Sequence, residues 1–237
     1  MQACGVFETI RIKNNRCVYM GKHIERLLGS CRYFRLKMPL DKNELSALIL
    51  HRSSDSGLSD IRLRIAVTKN RGKSRIEIAV KAYHPFSAEK YRQGFKVGLS
   101  KLRQHNLEFA QHKTTQRKLY DLNLLAANKL GFDEALIVNK QGYCAEACRS
   151  NIFFVRSGEL FTPSLECGCL KGITRMAVIG LAKDRQIRVN EGRFKPEEFF
   201  SSEEAFLTNS LMGIIPLWKR CGRITKSLIK GYSCLLS

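Results

Sequence analysis

The chain has 237 residues, 44% of them apolar, and carries a formal net charge of +20. That length and composition support one generous domain or two modest ones, and no apolar run reaches the roughly 18 residues of a membrane-spanning helix. No export-type apolar stretch follows Met1-Gln2-Ala3-Cys4-Gly5, so the nine scattered cysteines are expected to be reduced thiols in a cytoplasmic protein.

Val6 to Ile12 reads as a strand with a turn at Asn14-Asn15, and Val18 to Met20 as a segment pairing back. His23 to Phe34 has helical spacing, with Ile24, Leu27, Leu28, Cys31 and Phe34 on one face. Asp41 caps a second helix containing Leu45, Leu48 and Ile49. Ile61, Leu63, Ile65 and Val67 alternate, as do Ile76, Ile78 and Val80, so the two runs form a hairpin across Asn70-Arg71-Gly72-Lys73. Val97 to Leu99 is a further strand, and the polar stretch from Arg103 to Gln111 reads as a linker. A helix is expected from Thr114 through Leu119, Leu122, Ala126 and Leu130, ended by Gly131. Short strands follow at Ala135–Val138, Gly142–Glu146, Ile152–Val155 and Leu160–Phe161. After them come a helix at Ile173–Lys183 and strands at Ile187–Val189 and Ala205–Leu207. These elements make an α+β chain: a small N-terminal α/β domain over 1–104, a linker over 105–112, and a larger β-rich domain with helices over 113–237.

Five features carry chemistry. Lys113, after His112, offers an amine at the end of the linker; a Schiff-base lysine must give up its proton, which shielding and nearby cations favour. Glu146 ends a strand whose other residues look half buried. Gly172-Ile173-Thr174 opens a helix whose free amides and dipole suit an anion, with the Thr174 hydroxyl as a further donor. Thr208-Asn209-Ser210 follows a strand and can form a second amide nest. Arg26 presents a fork suited to phosphate. Singly each has an ordinary explanation: a solvated lysine with Lys118 as competitor, a strand-end glutamate, a capped helix, a surface arginine. In this order they are the equipment for pyridoxal 5′-phosphate (PLP), because a carboxylate on the pyridine nitrogen lets the ring absorb carbanion electrons.

The chain resembles the class-IV aminotransferases, which include branched-chain and D-amino-acid aminotransferases and 4-amino-4-deoxychorismate lyase. The resemblance runs from Gly5-Val6-Phe7-Glu8-Thr9-Ile10-Arg11 to about Pro216. It rests on His112-Lys113-Thr114, Asp133-Glu134-Ala135-Leu136, Gly142 to Phe153, Leu160-Phe161-Thr162-Pro163, Gly172-Ile173-Thr174-Arg175 and Phe206 to Leu211. It implies a two-domain fold like that of D-amino-acid aminotransferase, with a barrel-like second domain, and a homodimer whose active site lies near the domain and subunit boundary. It also implies that Lys113 is the Schiff-base lysine, Glu146 the partner of the pyridine nitrogen, and Arg26, Ile173, Thr174 and Ser210 the phosphate ligands. Relatives usually carry a strand pair before Gly-Val-Phe-Glu-Thr, whereas here Met1 stands almost at that motif. Gln116-Arg117-Lys118 makes the expected site mouth more basic than is common.

Thr208-Asn209-Ser210-Leu211-Met212-Gly213-Ile214 resembles the lyases more than the branched-chain enzymes, which usually carry Gly-Thr in that turn. The expected reaction is therefore conversion of aminodeoxychorismate to p-aminobenzoate and pyruvate, in the folate pathway. Transamination of branched-chain or D-amino acids is the alternative. The basic charge suits a small anionic amino substrate. There is no RNA-recognition signature, Cys/His finger or helix-turn-helix, so nucleic acid is not expected as the main partner. Cys144, Cys148, Cys167 and Cys169 leave a structural zinc as a minor alternative, though their spacing fits common zinc pairs poorly.

Overall fold

The computed structural model describes residues 5–70 and 73–235. They form two units: the first runs to Pro85 and regains the chain at His112–Gln116, and the second takes Phe86–Gln111 and Arg117–Leu235.

The first unit comprises β1 (Gly5–Lys13), α1 (Met20–Tyr33), α2 (Lys42–Asp55), β2 (Asp60–Asn70) and β3 (Lys73–Ala82). The sheet order is β1-β2-β3, antiparallel throughout, with Val6 opposite Val67, Ile10 opposite Leu63 and Ile65 opposite Ile78. A period of two puts Val6, Ile10, Ile12, Leu63, Ile65 and Val67 on one face, where they pack against Ile24, Leu27 and Cys31 of α1 and Leu45 and Ile49 of α2. Asp41 caps α2 as expected: it accepts the Asn43 and Glu44 amides at 2.7 and 2.9 Å, and Glu44 accepts the Asp41 amide at 2.8 Å. Asn14 and Asn15 both take left-handed backbone (φ 48° and 59°), so the expected turn forms there. Val18 to Met20 is not a strand, because Tyr19 is left-handed at φ 57° and α1 begins at once with Met20. Met1–Cys4, and Arg71 and Gly72 of the hairpin turn, lie outside the described residues.

The second unit begins with α3 (Ala88–Gln93), β4 (Val97–Leu99), α4 (Leu107–Ala110) and α5 (Lys118–Lys129). Then come β5 (Glu134–Val138), β6 (Cys144–Ala147), β7 (Asn151–Arg156), β8 (Glu159–Pro163), a 3₁₀ turn at Leu165–Cys167, α6 (Ile173–Asp184) and β9 (Val189–Gly192). It closes with α7 (Pro196–Phe200), β10 (Glu204–Asn209), β11 (Gly213–Pro216) and α8 (Arg223–Cys234). The barrel-like domain expected from the resemblance is realised as two sheets, β11-β10-β7-β8-β9 and β4-β5-β6. Phe154, Ile152, Phe161, Leu207 and Ile215 of the first sheet meet Val97, Leu136 and Ala147 of the second in one core. Phe153 and Phe206 point to the other face, stacked at 5.1 Å. Because β7 is buried on both faces, it reads as the continuous apolar run Ile152-Phe153-Phe154-Val155 rather than as an alternation.

Four expectations need correction. The domain boundary falls after Pro85 and not after residue 104, because β4 pairs in parallel with β5 and Phe95 and Val97 lie in the second core. The expected linker is likewise tied in: Gln104 bridges Asn139, and its amide donates to the Val138 carbonyl at 2.9 Å. The helix expected from Thr114 starts only at Lys118, since Thr114 is bridged to Val6, and α5 buries Leu124 and Ala127 while Leu122, Leu125 and Leu130 stay exposed. The strand expected at Ile187–Val189 is displaced to Val189–Gly192, where it pairs in parallel with β8. Helix α8 went unread, although Thr225, Leu228 and Tyr232 recur at helical spacing and are buried.

No helix among the described residues is long and apolar enough to cross a membrane. Phe154 stacks on Phe161 at 5.2 Å and meets Phe194 and Phe199 edge-on at 5.2 and 6.2 Å. Phe154→Ala is expected to destabilise the protein by about 3–5 kcal/mol in chemical denaturation, through lost burial and the cavity left behind.

Candidate active site

In the first unit, Glu8 lies on the core face of β1, where the alternation calls for an aliphatic residue, and is 1% exposed. It is tolerated because α1 brings a matched set to it. Arg26 grips it with Nε to Oε1 at 2.6 Å and Nη2 to Oε2 at 2.8 Å, and His23 Nδ1 lies 2.9 Å from Oε2. Burial pushes the Glu8 pKa up, but the Arg26 charge and the hydrogen bonds from His23 and Arg26 outweigh it and hold the carboxyl at about 2. Burial depresses His23 against the pull of Glu8, and the charges of Arg26 and Lys113 push the same way. Arg26, expected at a phosphate, thus has two of its donors engaged by Glu8.

Lys113 is placed by its backbone. The Phe7 amide donates to the Lys113 carbonyl at 2.8 Å and the Thr115 amide to the Gly5 carbonyl at 3.0 Å, so residues 113–115 run along β1 as a short added edge. His112 anchors the start of this segment, its Nδ1 3.0 Å from Ser30 Oγ and its ring stacked on Tyr33 at 4.3 Å. The Lys113 ammonium stands over the Phe7 ring at 4.9 Å, and the Arg64 guanidinium stands over the same ring at 4.5 Å.

In the second unit, Glu146 is 6% exposed, and both its oxygens receive donors: Tyr120 Oη donates to Oε1 at 2.9 Å and the Leu170 amide to Oε2 at 3.0 Å. The Leu170 carbonyl accepts Asn151 Nδ2 at 2.8 Å. Two residues on, Gly172 is the N-cap of α6; a Cβ there would run into Asn151 Oδ1, so only glycine fits. Helix α6 opens with no side-chain cap and no acidic residue in its first turn, which leaves its dipole uncountered. Ile173 and Thr174 are buried in that turn, and Thr174 Oγ1 lies 3.4 Å from Tyr232 Oη of α8.

Asn151 also pairs with Thr208 across β7 and β10, which brings the β10–β11 turn beside α6. Thr208 Oγ1 is buried and has no hydrogen-bond partner among the described residues, the state of a donor waiting for an acceptor. Asn209 closes the turn: its Oδ1 accepts the Leu211 and Met212 amides at 3.0 and 2.9 Å, and its Nδ2 donates to the Arg149 carbonyl at 3.2 Å. Ser210 is half-buried at the tip. An uncapped helix start, an orphaned hydroxyl and a fixed carboxylate in one unit fit a phosphorylated heterocycle.

The second unit therefore gathers Glu146, Ile173, Thr174 and the 208–210 turn, and the first gathers Arg26 and Lys113 around Glu8 and His23. The sequence reading missed Glu8, His23, Tyr120 and Asn151. Glu8 was visible as a charge on an apolar face, and His23 as a residue one helical turn from Arg26; nothing in the order of residues links Tyr120 to Glu146. Among the described residues no group of three or more His, Cys, Asp or Glu is placed to hold a metal. Burial pushes Cys144, Cys148 and Cys169 up to about 12.

Comparison with known proteins shows the family and the fold. Residues 5–219 match the family model for amino-transferase class IV. The chain is 26% identical over 259 residues to the branched-chain-amino-acid aminotransferase of Pseudomonas aeruginosa, covering 98% of this chain and 84% of that one. It is also 26% identical over 225 residues to the aminodeoxychorismate lyase of Bacillus subtilis, covering 91% and 77%. Its fold superposes on the crystal structure of a branched-chain aminotransferase from the archaeon Thermoproteus uzoniensis with a TM-score of 0.91, at 28% identity over 99% of this chain and 86% of the other. The chain belongs to the class IV aminotransferases. It is a PLP-dependent enzyme.

Two measurements check the electrostatics. Glu8→Ala removes the buried carboxylate that Arg26 and His23 both meet and is expected to cost about 3–5 kcal/mol, read as a drop in melting temperature. Glu134 accepts the Arg149 amide and the Ser150 hydroxyl on one oxygen at 3.1 and 3.2 Å, while its other oxygen is buried with no partner among the described residues. Burial, opposed by those two bonds, raises it from 4.5 to about 7. The folded state then holds a proton the unfolded state releases, so this group's contribution is full below about pH 4.5 and is lost as pH rises through about 7. Glu134→Gln is expected to flatten stability against pH across that window.

Proposed function

We propose that this enzyme converts 4-amino-4-deoxychorismate to p-aminobenzoate and pyruvate. The observation that carries the reading is the 208–211 turn, closed by the Asn209 side chain where the branched-chain enzymes usually carry Gly-Thr; the Bacillus subtilis lyase supports it as a relative. A class-IV aminotransferase acting on branched-chain or D-amino acids is the second reading, and the Pseudomonas aeruginosa and Thermoproteus uzoniensis enzymes favour its branched-chain form equally. In either case the reading includes a small anionic amino substrate and a homodimer in the cytoplasm.

Bound PLP supplies an electron sink that makes the proton on the substrate's amine-bearing carbon removable. Lys113 would provide the amine that holds the cofactor and would then take that proton. Glu146 would present its carboxylate to the pyridine nitrogen, and Thr174, Ile173, Ser210 and Arg26 would hold the phosphate. As Lys113 removes the proton, the enolpyruvyl oxygen leaves the neighbouring ring carbon and the ring becomes aromatic. The released enol takes up a proton and becomes pyruvate, so the atoms of the substrate are divided between the two products.

The test is to give PLP-loaded protein aminodeoxychorismate and assay pyruvate and p-aminobenzoate. Stoichiometric products are expected, reduced by about a thousandfold or more in Lys113→Ala. No products, together with a cofactor band bleached by leucine or D-alanine, moves the assignment to the aminotransferase.

A further inference from the structure

Glu146 is held by a chain of hydrogen bonds with a fixed direction. Gln104 is anchored by its backbone, its amide on the Val138 carbonyl at 2.9 Å and its carbonyl accepting the Lys140 amide at 3.0 Å. Its Oε1 accepts the Asn106 amide at 3.1 Å, which turns Nε2 toward Tyr120 Oη at 3.0 Å. The phenol oxygen is therefore an acceptor on that side, and its single hydrogen points to Glu146 Oε1 at 2.9 Å. The Tyr120 ring is held in turn by the Arg117 guanidinium, 4.7 Å from the ring centroid, which donates to the Cys148 carbonyl at 2.5 Å. Burial, followed by the charge and hydrogen bond of Glu146, raises Tyr120 well above the usual phenol range, so it remains a donor.

With Tyr120 on one oxygen and the Leu170 amide on the other, both oxygens of Glu146 are acceptors, the arrangement that favours the ionised carboxylate. These two donors are neutral, so they orient Glu146 by hydrogen bonding. The Glu8 site differs, since there the donor is the cationic Arg26. We propose that Tyr120, fixed by Gln104, is a positioning residue that sets the orientation and ionised state of Glu146 for the protonated pyridine nitrogen of PLP. This rests on the assignment of Glu146 made above and adds to it the residues that prepare the carboxylate.

The experiment is a PLP titration of the full-length protein, followed by absorbance across pH, for wild type, Tyr120→Phe, Gln104→Leu, Glu146→Gln and the Tyr120→Phe/Glu146→Gln double variant. Tyr120→Phe is expected to weaken PLP binding about tenfold, the effect of losing one hydrogen bond to a charged group. It should also move the acid-side loss of affinity to higher pH, because an unassisted carboxylate protonates more easily. Gln104→Leu is expected to do the same to a smaller degree, and it carries the test if Tyr120→Phe does not fold. In the Glu146→Gln background, Tyr120→Phe should have no further effect on affinity. An equal weakening in that background, or an unmoved acid limb, would show that Tyr120 supports only the packing of α5 and would overturn the proposal. If wild type binds no PLP, the assignment of Glu146 itself fails, and that result is separate from any difference among the variants.

Discussion

A buried carboxylate and an uncapped helix start in the second unit both hang on how one short loop is held. Asn151 leaves the ladder of β7 with its side chain on the Leu170 carbonyl, and the same peptide stretch then presents the Leu170 amide to Glu146 and turns at Gly172 into α6. One side-chain amide thus sets two electrostatic features of opposite sign, a fixed negative carboxylate and a positive helix start. Two long side chains, adjustable independently, would have to lose rotamer freedom to achieve the same.

The first unit solves a different problem. Placing Glu8 on the inner face of a small sheet costs several kcal/mol of desolvation unless the geometry of its partners is good. Helix α1 supplies Arg26 and His23 from successive turns, and the fork of Arg26 meets both oxygens of the carboxylate. His23 feels the charges of both Arg26 and Lys113, and Lys113 shares the ring of Phe7 with Arg64.

Much of this was legible in the order of residues. Period-two and helical spacing located β1, α1, α2, the β2–β3 hairpin and α6, because each has one buried face and one exposed one. The order of residues also singled out Lys113 after His112, Gly172 before Ile173 and Glu146 in β6, and folding gives each a fixed local setting: Lys113 on the edge of β1, Gly172 at the start of α6, and Glu146 under the Leu170 amide. What stayed hidden depends on distant contact. The start of α5 was misplaced because Thr114 bridges Val6, a pairing no local pattern announces. Its buried face was misread because Leu122 and Leu130 look like core residues but are exposed, while Asn123, which bonds the Leu102 backbone, is buried. Tyr120 reads as an ordinary helix aromatic until folding brings Glu146 to its hydroxyl.

The short edge that residues 113–115 add to β1 has a consequence for how the protein comes into being. The partners Phe7 and Lys113 stand roughly a hundred residues apart, so their pairing closes a long loop whose entropic cost is met only after much else has formed. On the ribosome, α1, α2 and the three-stranded sheet can assemble from an early segment, but the strip bearing the lysine emerges seconds later, after the segment holding β4. Lys113 is therefore among the last parts of the small unit to reach its place, and a nascent chain stalled before it would carry a folded β1 edge with no lysine beside it.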